Sequence, residues 1–107
     1  MSYLIIEVPD MNDSVSRIVL NGVAYHIRFT YNDTENRWRF GLYDSQMQPI
    51  VQGVKIVPGF PLNLFKGRDD IPNGVFACLS KEDVVGRTDF AEGKARFVFA
   101  PAEGGVL

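Results

Sequence analysis

The sequence contains very few of the residues on which most catalytic and metal sites depend. Its 107 residues include one histidine, His26, and one cysteine, Cys78. From that count we expect neither a multi-histidine metal site nor a catalytic triad. A single cysteine cannot form an intramolecular disulfide, which fits a reducing compartment. We interpret Cys78, within the apolar stretch Phe76–Leu79, as a small buried hydrophobe, and His26 as a solvated residue or a partner contact.

Long apolar runs and clusters of positive charge are also missing. The N-terminal apolar run covers about four residues without a basic flank, too short for a signal peptide or a membrane span, so we expect synthesis in the cytoplasm and no membrane insertion. The net charge is −2, with Lys and Arg scattered, which argues against nucleic acid as a partner.

Motifs for cofactors, metals and nucleophiles are absent from the sequence as well. There is no glycine-rich phosphate loop and no nucleophile elbow. Neighbouring carboxylates include Asp69-Asp70, Glu82-Asp83 and the pair Asp10 and Asp13, and the segment Asp10–Asp13 lacks the ligand spacing of a calcium loop. The sequence therefore predicts no cofactor, no metal site and no enzymatic activity.

The clearest positive signal is an amphipathic β-hairpin from Val23 to Asp44. Apolar and polar residues alternate over Val23–Tyr31, a polar connection follows at 32–36, and alternation resumes through Trp38, Phe40 and Leu42. In this phase Trp38 and Tyr31 face the core, whereas Tyr43 is left outside. Asn21-Gly22 predicts a tight turn between this hairpin and the preceding strand.

Turn residues recur about every ten positions, as in small β-sandwiches and barrels. The other predicted strands are Leu4–Val8, Val15–Leu20, Ile50–Val57 with a bulge at Gly53, Gly74–Leu79 and Lys94–Phe99, with a further short strand at Val84-Val85 and a helical turn near Asp89-Phe90. We expect a single all-β domain over 1–107, a compact antiparallel barrel or sandwich of about seven or eight short strands with at most one or two short helical turns. Residues 1–9 would form an edge strand open to an inter-subunit contact, and residues 101–107 a loose tail.

Two groups of residues are candidate protein contacts. Arg28, Arg37 and Arg39 share the polar face of the hairpin, where they either keep the sheet soluble or bind an acidic patch on a partner. In the Pro-interrupted segment 60–65, the residues Phe60, Leu62 and Phe65 either plug one end of the fold as a packed loop or present an apolar anchor.

Several motifs between about Ile18 and Phe99 follow each other in an order that resembles a known family. They are the aromatic strand Tyr25–Asn32, the tryptophan strand Arg37–Asp44, the strand Ile50–Val57, the segment Pro58–Leu64, the strand entry Ile71–Gly74 and the turn Thr88–Phe90. In this order the sequence resembles the baseplate plug-like family of small tail proteins of contractile-tailed bacteriophages, known from cyanophage. Pro61 departs from the pattern, where a polar or acidic residue is expected.

The resemblance implies a structural virion protein of the tail baseplate, near the junction of tube, hub and wedges. Its partners would be other tail and baseplate proteins and symmetry-related copies of itself, and it would form homo-oligomers. The alternative from the residues is a small β-barrel module that binds a carbohydrate or nucleotide on Tyr31, Trp38 or Tyr43. A third class, an enzyme, would need carboxylates from separate loops, such as Asp44 with Asp69 or Asp89.

Overall fold

The chain folds into seven antiparallel strands in two sheets. The computed structural model describes residues 3–59 and 74–101, and it contains no helix within those ranges. The strands are β1 (Leu4–Ile6), β2 (Asp13–Leu20), β3 (Val23–Asn32), β4 (Arg37–Tyr43), β5 (Pro49–Lys55), β6 (Gly74–Ser80) and β7 (Ala95–Pro101). One sheet has the order β2-β3-β4-β5 and the other the order β1-β7-β6. The all-β prediction is confirmed, and of its two forms the sandwich is correct, because the sheets do not close into a barrel.

The four-stranded sheet is a meander whose turns follow from local sequence. Asn21 and Gly22 have φ angles of 54° and 80°, as a two-residue hairpin turn with left-handed central residues requires. The β3–β4 turn is held by Asn32, whose side-chain oxygen accepts hydrogen bonds from the backbone nitrogens of Thr34 and Glu35. The predicted hairpin Val23–Asp44 is thus confirmed in both strands and in its turn.

The bulge predicted at Gly53 is present in β5. Phe40 pairs with Val54 and Leu42 pairs with Val51, so two residues of β5 lie opposite Gly41 alone. Gly53 has a φ of 66°, a left-handed conformation that costs residues with a Cβ about 1–2 kcal/mol. The strand itself begins and ends earlier than the predicted Ile50–Val57.

The three-stranded sheet joins strands that are far apart in sequence. β7 is central and pairs with β1 through Leu4–Phe99, Ile5–Val98 and Ile6–Phe97, and with β6 along its whole length. β1 lies at the edge of this sheet and is shorter than the predicted strand Leu4–Val8. Pro101 belongs to β7, and the rest of the predicted tail lies outside the described residues.

The core lies between the two sheets and is rich in aromatic side chains. Phe97 contacts Phe29 edge-to-face at 5.3 Å between ring centroids and Phe40 at 5.0 Å, so the central strands of both sheets meet there. The residues with an exposed fraction below 2% are Trp38, Phe29, Phe40, Phe76, Phe97, Phe99, Leu20, Ile27, Leu42, Ile56, Val85 and Cys78. Burial of this apolar surface is the main stabilising contribution to the fold.

One side of the sandwich is bridged by the chain itself. After β5, the backbone nitrogen of Ile56 donates to the oxygen of Trp38, and Pro58 then forms a parallel bridge with Cys78 in β6. The nitrogen of Gly59 donates to the Cys78 oxygen at 3.0 Å. This crossing ties the edge of one sheet to the edge of the other.

Residues 81–94 form a loop of turns, so the predicted strand at Val84-Val85 is wrong. Val85 is buried because it packs in the core, not because it pairs with another strand. The predicted turn near Asp89-Phe90 is present, with hydrogen bonds from the nitrogen of Glu92 to the oxygen of Thr88 and from Asp89 to Gly86. Apolar side chains in a short segment predicted a strand here, although loop residues can supply core side chains as well.

Candidate protein-contact face

Strand phase places the three predicted arginines on one surface of the four-stranded sheet. Ile27 and Phe29 in β3 and Trp38 and Phe40 in β4 face the core, so their alternating neighbours face outward. Arg28 lies opposite Gly41, Arg39 opposite Thr30, and Arg37 opposite Asn32. The structure therefore brings Arg28, Arg37 and Arg39 to the same outer face, as their sequence positions predict.

Two further cations lie on this face, and sequence reasoning missed them. Arg17 is exposed in β2 opposite His26, and Lys55 is exposed in β5 opposite Arg39. Arg17 alternates with the buried positions of β2, a signal that was present in the sequence. Assigning Arg17 and Lys55 to this surface required knowing that β2 and β5 flank the hairpin in one sheet. We call Arg17, Arg28, Arg37, Arg39 and Lys55 the cationic face.

Arg28 is held by a two-point contact with the side chain of Asp13. Its Nε and a terminal nitrogen donate to the two carboxylate oxygens at 2.8 and 2.6 Å, an arrangement that fixes the plane of the guanidinium. The hydrogen bond from Arg28 lowers the pKa of Asp13 below its usual value. It also raises the pKa of Arg28, together with a hydrogen bond to Tyr43. Both side chains are substantially exposed, so the pair adds little to stability but orients Arg28.

Arg39 is anchored in a similar way at the hairpin turn. A terminal nitrogen lies 2.6 Å from the Glu35 carboxylate, and a second nitrogen donates to the Gly53 carbonyl at 3.3 Å. The hydrogen bond and charge of Arg39 lower the pKa of Glu35, with smaller effects from the charges of Lys55 and Arg37. Glu35 therefore lies within the field of three cations of this face.

The cationic face keeps unpaired positive charge. Among the residues that the structure describes, only Asp13 and Glu35 form ion pairs with its five cations. Arg17, Arg37 and Lys55 form none with a described residue, so five cations and two carboxylates leave a net charge of about +3 on the described part of this surface. The whole chain has a net charge of −2, so the other surfaces together are acidic. Arginines are well suited to binding carboxylates, because the planar guanidinium matches their geometry.

Two polar residues at one end of the face are fixed by local contacts. The ring nitrogen Nδ1 of His26 lies 3.1 Å from the Asp44 carbonyl oxygen, to which it can donate. Tyr43 lies opposite His26 and is half-buried. The carboxylate of Asp44 accepts from the backbone nitrogens of Gln46 and Gln48 and shapes the β4–β5 turn. These residues form the border of the surface and do not bring together a reactive group.

The apolar candidates Phe60, Leu62 and Phe65 lie outside the described residues. Their predicted role, as anchor or as plug, stays a prediction.

The thiol and the metal-ligating side chains are the remaining groups of chemical interest among the described residues. Cys78 is fully buried, and burial, followed by the charge of Asp89, raises the pKa of its thiol to about 11. It therefore behaves as the core residue that its sequence context predicts. Within residues 3–59 and 74–101, no three His, Cys, Asp or Glu side chains are grouped so as to hold a metal ion.

The aromatic residues of the alternative ligand-binding interpretation do not form a platform. Trp38 is 1% exposed and contacts Tyr31 and Phe90 edge-to-face at 5.2 and 5.6 Å between ring centroids. A buried indole cannot stack on a sugar or base. Three surface cavities of 440, 470 and 330 Å³ are lined by other residues, and Tyr31, Trp38 and Tyr43 border none of them.

Comparison with known proteins complements this geometry. The described part of the chain has no helix whose length and apolar character would let it cross a membrane. No curated protein matches the sequence. A family model described as "Cyanophage baseplate Pam3 plug gp18" matches residues 1–102. Because the match covers nearly the whole chain, the protein belongs to this cyanophage baseplate plug family, and its role is that of a structural baseplate component.

Proposed function

We propose that the protein acts in the baseplate near the junction of tube, hub and wedges, entirely through protein–protein contacts and without catalysis. It is synthesised in the host cytoplasm and becomes part of the virion. The family match supports the baseplate role. The observation that supports action through protein contacts is the cationic face. It concentrates positive charge on one sheet, and only two of its five cations form ion pairs with described residues.

The partner of the cationic face is an acidic surface of another tail or baseplate protein. Arg28 and Arg39 are pre-oriented by Asp13 and Glu35, so little side-chain entropy is lost when a partner carboxylate binds them. Arg17, Arg37 and Lys55 supply further positive charge and form no ion pair with a described carboxylate. Such a surface accelerates association and selects partners of opposite charge. Phe60, Leu62 and Phe65 remain proposed contacts on sequence grounds alone.

Charge reversal on the face tests this function. The variant Arg37→Glu with Lys55→Glu changes two cations that form no described ion pair, so the fold should tolerate it. A matched control, Lys81→Glu with Arg96→Glu, makes the same charge change at exposed positions outside the face. Binding to purified tube, hub and wedge proteins is measured by calorimetry at several salt concentrations. We expect the dissociation constant of the face variant to rise at least about tenfold and that of the control about twofold or less.

Two results would contradict the proposal. If the wild-type protein binds none of these components, the proposed position in the baseplate is wrong. If the control and the face variant weaken binding equally, the effect comes from net charge and the contact lies elsewhere.

A further inference from the structure

The four edge strands of the sandwich differ in how well they are protected from pairing with another chain. β1 has only three residues, β5 carries Pro49 and the bulge at Gly53, and β6 is bridged by Pro58 and Gly59. Each of these features limits edge-to-edge pairing. β2 has eight residues in unbroken register with β3 and contains neither proline nor bulge. It is the one long and regular edge among the described strands.

The free edge of β2 presents a regular row of backbone groups. The nitrogen of Tyr31 donates to the oxygen of Asn12, so residues 12 and 31 form a hydrogen-bonded pair. Pairing alternates along an antiparallel ladder, and the even-numbered residues of β2 therefore bond to β3. The N–H and C=O groups of Asp13, Val15, Arg17 and Val19 point away from it. No backbone hydrogen bond from another described segment reaches this row.

Exposed apolar side chains accompany this row. Val15 and Val19 are each 48% exposed on the outer face of β2. On the same side of the sandwich, Leu4 and Ile5 of β1 are 45% and 54% exposed. A groove of 330 Å³ separates the two edges and is lined by Leu4–Glu7 and Ser16–Val19. On this side the short edge strand β1 and the long edge strand β2 lie next to each other with no backbone bridge between them among the described residues, whereas the opposite side is bridged by the chain.

We propose that β2 pairs antiparallel with β2 of a second copy of this chain, around a two-fold axis at Ser16. The inference goes beyond the proposed function and does not depend on the acidic partner. Such an axis is perpendicular to the four-stranded sheet, so both three-stranded sheets lie on the same side of the joined sheet. The β1 edge of each copy then approaches the other across the groove. A second copy therefore covers both exposed edges at once, which a single added strand does not.

The residues of β2 select this register over its neighbour. With the axis at Ser16, Val15 lies opposite Arg17 of the second copy and Asp13 lies opposite Val19. With the axis at Arg17, two arginines would lie directly opposite each other, which is destabilising. The Ser16 pair is of the non-hydrogen-bonded kind, in which Cα atoms are about 4.5 Å apart. That distance allows a disulfide between cysteines at this position.

Cross-linking tests the register directly. Ser16→Cys should form a disulfide-linked dimer under mild oxidation, at least about tenfold faster than Ser45→Cys, which places a cysteine in the exposed β4–β5 turn. The wild-type chain is the second control, since its buried Cys78 should not cross-link. Light scattering on the wild-type protein should give a mass that rises with concentration toward twice the 12.0 kDa of the chain.

A pair of substitutions at Val15 separates this interface from other modes of association. Val15→Lys places a cation opposite Arg17 of the second copy, and Val15→Glu places a carboxylate there. We expect the dissociation constant of the dimer to rise at least about tenfold for Val15→Lys and to stay the same or fall for Val15→Glu. Circular dichroism checks that both monomers fold. A protein that stays monomeric throughout, Ser16→Cys no faster than Ser45→Cys, or equal effects of both Val15 variants would each overturn the proposal.

Discussion

The indole nitrogen Nε1 of Trp38 donates a hydrogen bond to the carbonyl oxygen of Gly86, 3.0 Å away. The two residues are 48 positions apart, so the bond joins the start of β4, an inner strand of the four-stranded sheet, to the loop 81–94. Arg87, the next residue, lies with its guanidinium carbon 5.6 Å from the centroid of the indole ring and bonds to Asp10 and Asn12. Trp38 therefore holds this loop and the β1–β2 connection against one end of the core.

Replacing Trp38 with phenylalanine should destabilise the fold by about 2–3 kcal/mol. The substitution leaves the Gly86 carbonyl without its donor and opens space in the core, and both effects lower the free energy of unfolding. Urea unfolding measures the change. Tyr31→Phe is the matched control, because it removes only a long, exposed contact to Asn36, and it should cost less than about 0.5 kcal/mol. An equal loss of unfolding free energy in both variants would show that the hydrogen bond to Gly86 does not contribute measurably to stability.

Gly53→Ala should destabilise the protein by about 1–2 kcal/mol through backbone conformation alone. A Cβ at this position would meet no atom within 4 Å, so the cost comes from the positive φ and not from a clash. Gly53→Asn should cost less, since asparagine adopts the left-handed region more readily. Thermal unfolding of the two variants measures both losses of stability. An alanine variant as stable as the wild type would indicate that the bulge rearranges.

The thiol of Cys78 should make stability depend on pH in the alkaline range. Burial raises its pKa from an ordinary value of 9.0 to about 11, so the folded state holds its proton more tightly than the unfolded state. This contribution is fully present below about pH 9 and is lost as the pH rises toward 11. Cys78→Ala should abolish this part of the pH dependence in denaturant titrations. If the difference in unfolding free energy between pH 8 and pH 11 is the same in the variant as in the wild type, other groups cause the pH dependence.

The pairing of Asp13 with Arg28 should be visible in the titration of the carboxyl group. The hydrogen bond from Arg28 lowers the pKa of Asp13 below 3.8, so its contribution to stability is present above that pH and is lost on acidification below it. In Arg28→Gln the pKa of Asp13 should return toward 3.8, as followed by NMR of the carboxyl carbon. The control Arg37→Gln removes a cation that does not bond to Asp13, and it should leave the pKa of Asp13 unchanged.

The hairpins could be predicted because residues close together in the sequence determine them. Period-2 alternation from Val23, the Asn21-Gly22 turn and the bulge at Gly53 are each specified by a few neighbouring residues. The pairing of β1 with β7 could not be predicted, since it joins Leu4 to Phe99 and depends on packing across the whole chain. The buried loop residue Val85 was misread for a related reason, because apolar character indicates burial and does not specify a strand.

The candidate face was predictable in part. Strand phase was enough to place Arg28, Arg37 and Arg39 on one surface. Adding Arg17 and Lys55 required knowledge of which strands flank the hairpin, and identifying the paired cations required the positions of Asp13 and Glu35. The contacts Arg28–Asp13 and Arg39–Glu35 are set by rotamers and turn geometry, which a sequence pattern does not contain.

The pairing of β1 with β7 also determines the order in which the protein can fold during synthesis. The meander β2–β5 is contiguous from residue 13 to residue 55, so it can assemble through short-range contacts as it leaves the ribosome. β1 is translated first, yet its partner Phe99 is among the last described residues to be made. The apolar Leu4–Ile6 therefore cannot pair until β7 has been translated, and until then one side of the aromatic core is not fully covered.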